Sequence, residues 1–431
     1  MQNSGPTLQS SLMDWLNYMH NIHVSAIDMG LERVFPVFQN LGIDKPNAYV
    51  FTVAGTNGKG STTATIASIC EKAGYKVGLY QSPHLLVFNE RVKINQDMVS
   101  DALLIQAFAK VEKARIECGL TLSFFEMTTL ASFCIFAEQH CDVWVLEVGL
   151  GGCLDVVNVI DPNLAVITNI GIDHVDWLGD TREKIGVEKA GILRNDITLV
   201  YGESDMPNTI PPIIAEHHAK LLQFGTDYFY QQKSESQWQY SSAGVTLGLP
   251  LPNLSLHNTA TAITAVLASQ LDIDVSHICQ ALPNIHLAGR FDKRQILGRQ
   301  WVFDVAHNEH GINFLLSQFL PFWQNYQQKQ ADAKLYLIFS ILADKDIDKV
   351  LAKLVTLPIH KLFSGEIDFF RATPKADLQR QLANYFDNFI VYDNLAQATE
   401  QAIAESKPQD VLLVCGSFHT ISDVLQSGFV K

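Results

Sequence analysis

The sequence has no C-x-x-C pair, and its seven cysteines (Cys70, Cys118, Cys134, Cys141, Cys153, Cys279, Cys415) are odd in number and scattered. That argues against a disulfide framework or a thiolate zinc site, and a reducing cytoplasm is the expected location. Positive charge is short as well: 31 Lys and Arg stand against 45 Asp and Glu, for a formal net charge of −14. With no basic run to offset it, no nucleic-acid partner is expected. Met1–Leu12 lacks the basic start and apolar core of a secretion signal. No apolar stretch approaches a membrane span, so no membrane partner is expected either. A phosphate ligand must then be bound locally, by backbone and metal.

At 431 residues with 47% hydrophobic composition, the chain can bury two cores, and two domains are expected. Tyr49–Val53 is rich in β-branched and aromatic residues and leads into Gly55–Ser61, which reads GTNGKGS. Thr62–Ile69 follows with helical spacing. A phosphate cradle needs that order: glycines let N–H groups converge on an anion, a helix N-terminus adds positive potential, and Lys59 brings a mobile cation. The expected ligand is a nucleoside triphosphate. The match to G-x-x-x-x-G-K-[ST] is incomplete, because Val53 stands where the first Gly belongs and Gly60 follows Lys59, leaving Ser61 as the hydroxyl. The plain alternative is an ordinary glycine turn.

Strand-like and helix-like stretches then alternate, which predicts parallel sheets covered on both faces. Strands are expected at Lys76–Tyr80, Val143–Val148, Leu164–Thr168 and Ile197–Tyr201. Helices are expected at Leu8–Met19, Gly30–Asn40, Asp101–Cys118, Glu126–His140, Arg182–Leu193 and His257–Leu271, with a polar loop over Asn169–Thr181. Ser234–Ser242 reads as part of a small irregular region. Alternation restarts after Leu287–Phe291, with strands at Trp301–Val305, Leu335–Phe339, Lys361–Phe363 and Val411–Cys415, and the domain boundary is placed near Gly298.

Glu147 ends an apolar strand, where a buried carboxylate needs a cation. Ser82 ends the preceding strand and Asp173–His174 follows the next one, so all can converge with the glycine loop at one sheet edge around Mg²⁺. A structural ion pair for Glu147 and a hydrogen-bonded imidazole for His174 are the bland alternatives. Lys189 lies among apolar neighbours, where desolvation would lower its pKa and let it react or be carbamylated; a surface lysine is its alternative. Asp304 and His307 tip a strand and, with Arg290, could reach a nucleotide, unless they are a capping Asp and a solvated His. Ser417–His419 has no G-x-S-x-G elbow and is given no catalytic role.

These residues, together with Ser82–Leu85, Glu90–Val92, Glu147–Gly152, Glu188–Ile192, Gly289–Phe291, Asp304–Asn308 and Cys415–Thr420, resemble the folylpolyglutamate synthase family from about Leu12 to Asp423. The likeness is greatest to the bacterial bifunctional members that are also dihydrofolate synthases. It implies an α/β protein: an N-terminal P-loop, Mur-ligase-like parallel-sheet domain over residues 1–297 and a C-terminal Rossmann-like domain over residues 298–431. It implies an ATP-dependent acid–amino-acid ligase that activates a carboxylate of dihydropteroate or a reduced folate as an acyl phosphate for attack by L-glutamate. The partners implied are these small molecules, and a monomer is expected.

By the same resemblance Gly58, Lys59, Gly60 and Ser61 bind the phosphates, and Ser61, Ser82, Glu147 and His174 hold Mg²⁺. Lys189 is the carbamylated lysine, and Lys59, Glu147, His174 and Lys189 form the catalytic set. Asn258, Arg290, Asp304 and His307 contact ATP. Asp28, Met29, Gly30 and Leu31 resemble the dihydropteroate loop, and Ser123, Phe125, Cys153, Leu154 and Asp155 complete the substrate site. An aromatic wall with an Asp to receive ring N–H donors suits a pterin, with helix capping by Asp28 and core packing by Phe125 as the bland alternatives. Two positions depart from the family pattern: Cys153 stands where it has arginine, and Glu309 where it has proline. A muramyl-type ligase usually carries another domain before its P-loop, for which 54 residues ahead of Gly55 are too few. A nucleotide-gated binding module would not require Glu147, His174 and Lys189 together.

Overall fold

The computed structural model describes residues 5–23, 29–43, 47–234 and 236–430, in two compact units that divide between Ile285 and His286. The first holds an eight-stranded sheet: β1 (Tyr49–Ala54), β2 (Val77–Tyr80), β3 (Val92–Ile94), β4 (Asp97–Met98), β5 (Val143–Glu147), β6 (Leu164–Ile167), β7 (Thr198–Tyr201) and β8 (Lys220–Gln223). Their order is β4-β3-β2-β5-β1-β6-β7-β8, parallel from β2 to β8 with β3 and β4 as an antiparallel edge. The central strands β1 and β5 are buried almost throughout, as expected for continuous apolar runs in a sheet covered on both faces.

Register sets the site. Val53 is paired with Glu147 and Ala54 with Ile167, so β5, β1 and β6 end level. The segments that follow them therefore emerge at one edge, at the carboxyl ends of parallel strands. The helix Lys59–Lys72 starts directly from the glycine loop and packs against the helix Leu256–Ala268. Its small residues Ala64, Ala67 and Ser68 let it lie close to its neighbours.

Three antiparallel strands, β9 (Tyr228–Gln232), β10 (Gln237–Ser242) and β11 (Val245–Pro250), form a separate sheet. This replaces the irregular region expected at Ser234–Ser242: Trp238 and Tyr240 alternate with polar residues and bury on one face. The polar loop expected at Asn169–Thr181 contains a short helix, Val175–Leu178. The first helix begins at Leu12 rather than Leu8, because Ser11 and Asp14 close a capping box there.

The second unit carries β12 (Asp292–Ile296), β13 (Arg299–Asp304), β14 (Leu335–Phe339), β15 (Ile359–Gly365), β16 (Phe389–Tyr392) and β17 (Val411–Cys415) in the order β12-β13-β17-β14-β15-β16. All neighbours are parallel except the β12–β13 hairpin. Gly298, the expected boundary, lies in the turn of that hairpin, so the linker precedes it. Among the described residues no helix is long and apolar enough to cross a membrane.

Candidate active site

Gly58 caps the first helix of the glycine loop in a left-handed conformation, φ +83°. A Cβ there would lie 2.6 Å from Asn258 Oδ1, so the expected nucleotide contact Asn258 packs directly on the loop. Lys59 Nζ donates to the carbonyls of Gly55 (2.9 Å) and Thr56 (3.4 Å). Gly60 follows, and Ser61 is buried in the first turn.

The loop is held by residues that the sequence reading passed over. Asn169 accepts from Asn57 N–H (2.9 Å) and donates from Nδ2 to Asn57 C=O (2.7 Å). Thr168 Oγ1 donates to the same carbonyl, and Thr56 Oγ1 exchanges bonds with both polar groups of the Gly171 backbone. Gln81 Nε2 donates to Gly60 C=O and to Thr63 Oγ1. A signal was present for each, since each flanks a strand end already assigned to the site.

Lys59, Asp173, His174 and Lys189 line one small cavity with Gly149 and Leu150. Lys189 is 4% exposed, and burial, together with the charge of Lys59, lowers its pKa to about 7. His174 sits in the left-handed region, φ +53°, at the start of the Val175–Leu178 helix, which turns it into the loop cluster. Glu147 is 3% exposed at the end of β5, and Arg91 lies within its electrostatic reach.

A second cavity of about 310 Å³ is lined by Met29, Ser82, Ser123, Phe125, Leu154 and Asp155 among others, and also by Gly149, Leu150 and His174. The two cavities therefore share a wall. The loop bearing Ser82 is fixed by Glu90, whose carboxylate accepts the N–H groups of Leu85, Leu86 and Val87. Phe125 presses on Gly149, where a Cβ would fall 2.3 Å from the ring.

Asp155 was expected to receive pterin donors. Its Oδ2 accepts from Gly149 and Leu150 N–H and its Oδ1 from Val157 N–H, so most of its acceptor capacity shapes the shared wall. Burial raises its pKa to about 6 against those three bonds. Ser123 likewise caps the helix Phe124–Glu138, accepting from Glu126 N–H. Glu126 and Arg91 also line this cavity and had no assigned role; Glu126 is paired with Arg33 at 2.9 Å.

Cys153, Gly30 and Leu31 do not line the cavity, and Asp28 lies outside the described residues. Cys153 N–H donates to Glu188 C=O and its Cβ lies against Gly191, whereas Leu154 and Asp155 line the cavity. The side chain is exposed.

In the second unit, Asp304 is buried and accepts from Phe291 and Ala306 N–H, both at 2.9 Å. Burial raises its pKa while the Arg290 charge opposes the rise. Arg290 lies over the Phe418 ring at 5.0 Å, and His307 Nδ1 bonds to Val305 C=O. Arg290, Asp304 and His307 thus gather at the end of β13. Ser417 caps the last helix through Thr420 N–H, in line with a structural role. Glu309 opens the helix Glu309–Lys329 and pairs with Lys353 at 3.5 Å.

Among the described residues no group of three or more His, Cys, Asp and Glu is placed to hold a metal. The expected set contains only two such residues, Glu147 and His174, completed by the hydroxyls of Ser61 and Ser82. A sparse, oxygen-rich set of this kind fits Mg²⁺, which keeps waters and phosphate oxygens in its shell.

Residues 53–266 match the model of the Mur ligase middle domain, and residues 289–418 match that of the Mur ligase, glutamate ligase domain. The dihydrofolate synthase/folylpolyglutamate synthase of Escherichia coli is 39% identical over 98% of this chain and 96% of its own length. That of Haemophilus influenzae is 34% identical over 98% and 99%. Among solved structures, E. coli FolC in complex with DHPP and ADP superposes with a TM-score of 0.90 at 39% identity, covering 98% of each chain. The bifunctional enzyme of Yersinia pestis complexed with AMPPNP and Mn gives 0.89 at 37%, covering 98% and 99%. With full-length likeness in sequence and in fold, the chain belongs to the dihydrofolate synthase/folylpolyglutamate synthase family of Mur-type ligases.

Proposed function

We propose that this chain is an ATP-dependent ligase that joins L-glutamate to dihydropteroate, and to the γ-carboxylate of reduced folates, through an acyl phosphate. The observation that carries the reading is the shared wall: Gly149, Leu150 and His174 border both the cavity containing Lys59 and Lys189 and the larger one containing Phe125 and Asp155. An acid seated in the larger cavity with its carboxylate at that wall meets the γ-phosphate of a nucleotide cradled by Gly58–Ser61. The complexes of the relatives with ADP, DHPP and AMPPNP support the same ligands here.

The carboxylate oxygen attacks the γ-phosphorus and ADP leaves; the glutamate amine then attacks the acyl carbon, loses a proton and expels phosphate. Negative charge accumulates on the transferring group, and Lys59 is placed to offset it. Ser61, Ser82, Glu147 and His174 would hold a divalent ion, which when bound neutralises phosphate oxygens. Lys189, with its pKa lowered to about 7, has a substantial neutral fraction at pH 7 that can add CO₂, lose a proton and become an anionic carbamate. Met29, Ser123, Phe125, Leu154 and Asp155 form the pterin side, and Asn258, Arg290, Asp304 and His307 contribute to nucleotide binding. The ligase acts as a cytoplasmic monomer on small molecules alone.

ADP release measured with dihydropteroate, tetrahydrofolate and a muramyl acceptor in parallel tests the reading. Glutamate-dependent release with the first two and none with the third is expected. Release with the muramyl acceptor alone, or none that depends on glutamate, would overturn it.

A further inference from the structure

The loop Thr168–His174 is stapled to the glycine loop on one side, through Asn169 and Gly171. Its other side is held differently. Glu203 Oε2 accepts from Ile170 N–H at 3.0 Å, while Arg182 Nε donates to Ile170 C=O at 2.7 Å. Arg182 and Glu203 face each other at 3.5 Å, and Asp205 holds a second guanidinium nitrogen of Arg182 at 2.5 Å. One ion pair therefore closes a ring around both polar groups of a single residue. That residue lies between Asn169, which fixes the glycine loop, and His174, which borders both cavities.

A hydrogen bond to a charged group is stronger than the neutral bonds that ordinarily tie a loop, and Ile170 receives one at each of its polar groups. Here it acts on the backbone, so it sets where the loop runs rather than what any side chain binds. Glu203 follows β7 and Arg182 opens the helix Arg182–Ala190, the helix that also carries Lys189. We infer that Arg182 and Glu203 are positioning residues: by clamping Ile170 they hold His174 and the glycine loop at the spacing that a metal-bound triphosphate requires. The inference rests on the assignment of His174 to the metal side of the site.

The test is Mg²⁺ activation and steady-state kinetics for Glu203→Gln, Arg182→Lys, His174→Ala and the double variant Glu203→Gln/His174→Ala. Outer-shell partners of metal ligands typically cost 10–100-fold in metal affinity, so Glu203→Gln should raise the Mg²⁺ requirement by about tenfold. KM for ATP should rise with it, KM for dihydropteroate should hold, and Arg182→Lys should keep part of the function. In the double variant the Mg²⁺ effects should not add, because one residue acts through the other. A purely structural pair would lower the active fraction and the melting temperature with both KM values unchanged, and that result overturns the inference. If His174→Ala leaves the Mg²⁺ requirement unaltered, the metal assignment itself is wrong. If it raises the requirement and the clamp variants do not, the assignment stands and the clamp falls.

Discussion

Gly58 and Asn258, two hundred positions apart in the chain, meet so closely that a Cβ on the glycine would sit 2.6 Å from the asparagine amide oxygen. The glycine loop is thus completed by a helix from the far end of its unit. Gly58→Ala must both adopt φ +83° and displace Asn258. Strain of about 1–3 kcal/mol should weaken nucleotide binding by roughly fivefold or more, measured by titration calorimetry with ADP. Unchanged affinity would show that the loop tolerates rearrangement and is not a preformed cradle.

The contact between Phe125 and Gly149 makes a test of the pterin side. Gly149→Ala places a methyl where the ring now lies and should push Phe125 into the 310 Å³ cavity. KM for dihydropteroate should rise severalfold while KM for ATP changes little. Phe125→Leu in the same chain should recover part of the loss by relieving the collision.

Lys189 gives a pH signature. Its folded-state pKa of about 7 lies well below the ordinary lysine value, so its contribution to stability is greatest above the unfolded pKa and is lost as pH falls toward about 7. Lys189→Met should therefore raise the melting temperature more at pH 6 than at pH 9 while abolishing ligation. With ¹³C-bicarbonate, a carbamate resonance should appear in the wild type above about pH 7, fade below it, and be missing from the variant. Equal stability shifts at both pH values would mean that the amine is not desolvated.

Asp155 is read as the organiser of the shared wall. Asparagine at this position keeps one acceptor oxygen and turns an amide N–H₂ toward backbone donors now bonded to the other. Asp155→Asn should cost about 1–3 kcal/mol in a denaturant titration and reduce both ligation reactions together. Loss confined to dihydropteroate use would instead make Asp155 a pterin contact first.

The sequence disclosed those parts of the fold where physics is local. Leu335–Phe339 and Val411–Cys415 are unbroken apolar runs, and both are central strands with the expected limits. Asp292–Ile296 was invisible because an edge strand can be charged, and Asp-Lys-Arg-Gln-Ile has no period-2 apolar signal; missing it moved the domain boundary. The sheet around Trp238 and Tyr240 was overlooked because its polar residues outnumber the buried ones, although the alternation was there.

In the site, the sequence draws attention to residues that carry chemistry of their own. It does not draw attention to those that act by holding backbone: Asn169, Gln81 and Glu90 work through hydrogen bonds whose partners lie far away in sequence or in an irregular loop. Cys153 shows the converse. Its neighbours Leu154 and Asp155 face the cavity, yet a single turn bonded to Glu188 sends the thiol elsewhere.

Ligation depends on an acid meeting the γ-phosphate at the wall formed by Gly149, Leu150 and His174, and isotope transfer measures that meeting. Dihydropteroate labelled with ¹⁸O in its carboxylate should, in the presence of ATP and L-glutamate, deliver one labelled oxygen to each phosphate released. Phosphate free of label, with the amide product still formed, would show that no acyl phosphate is made and would contradict the account.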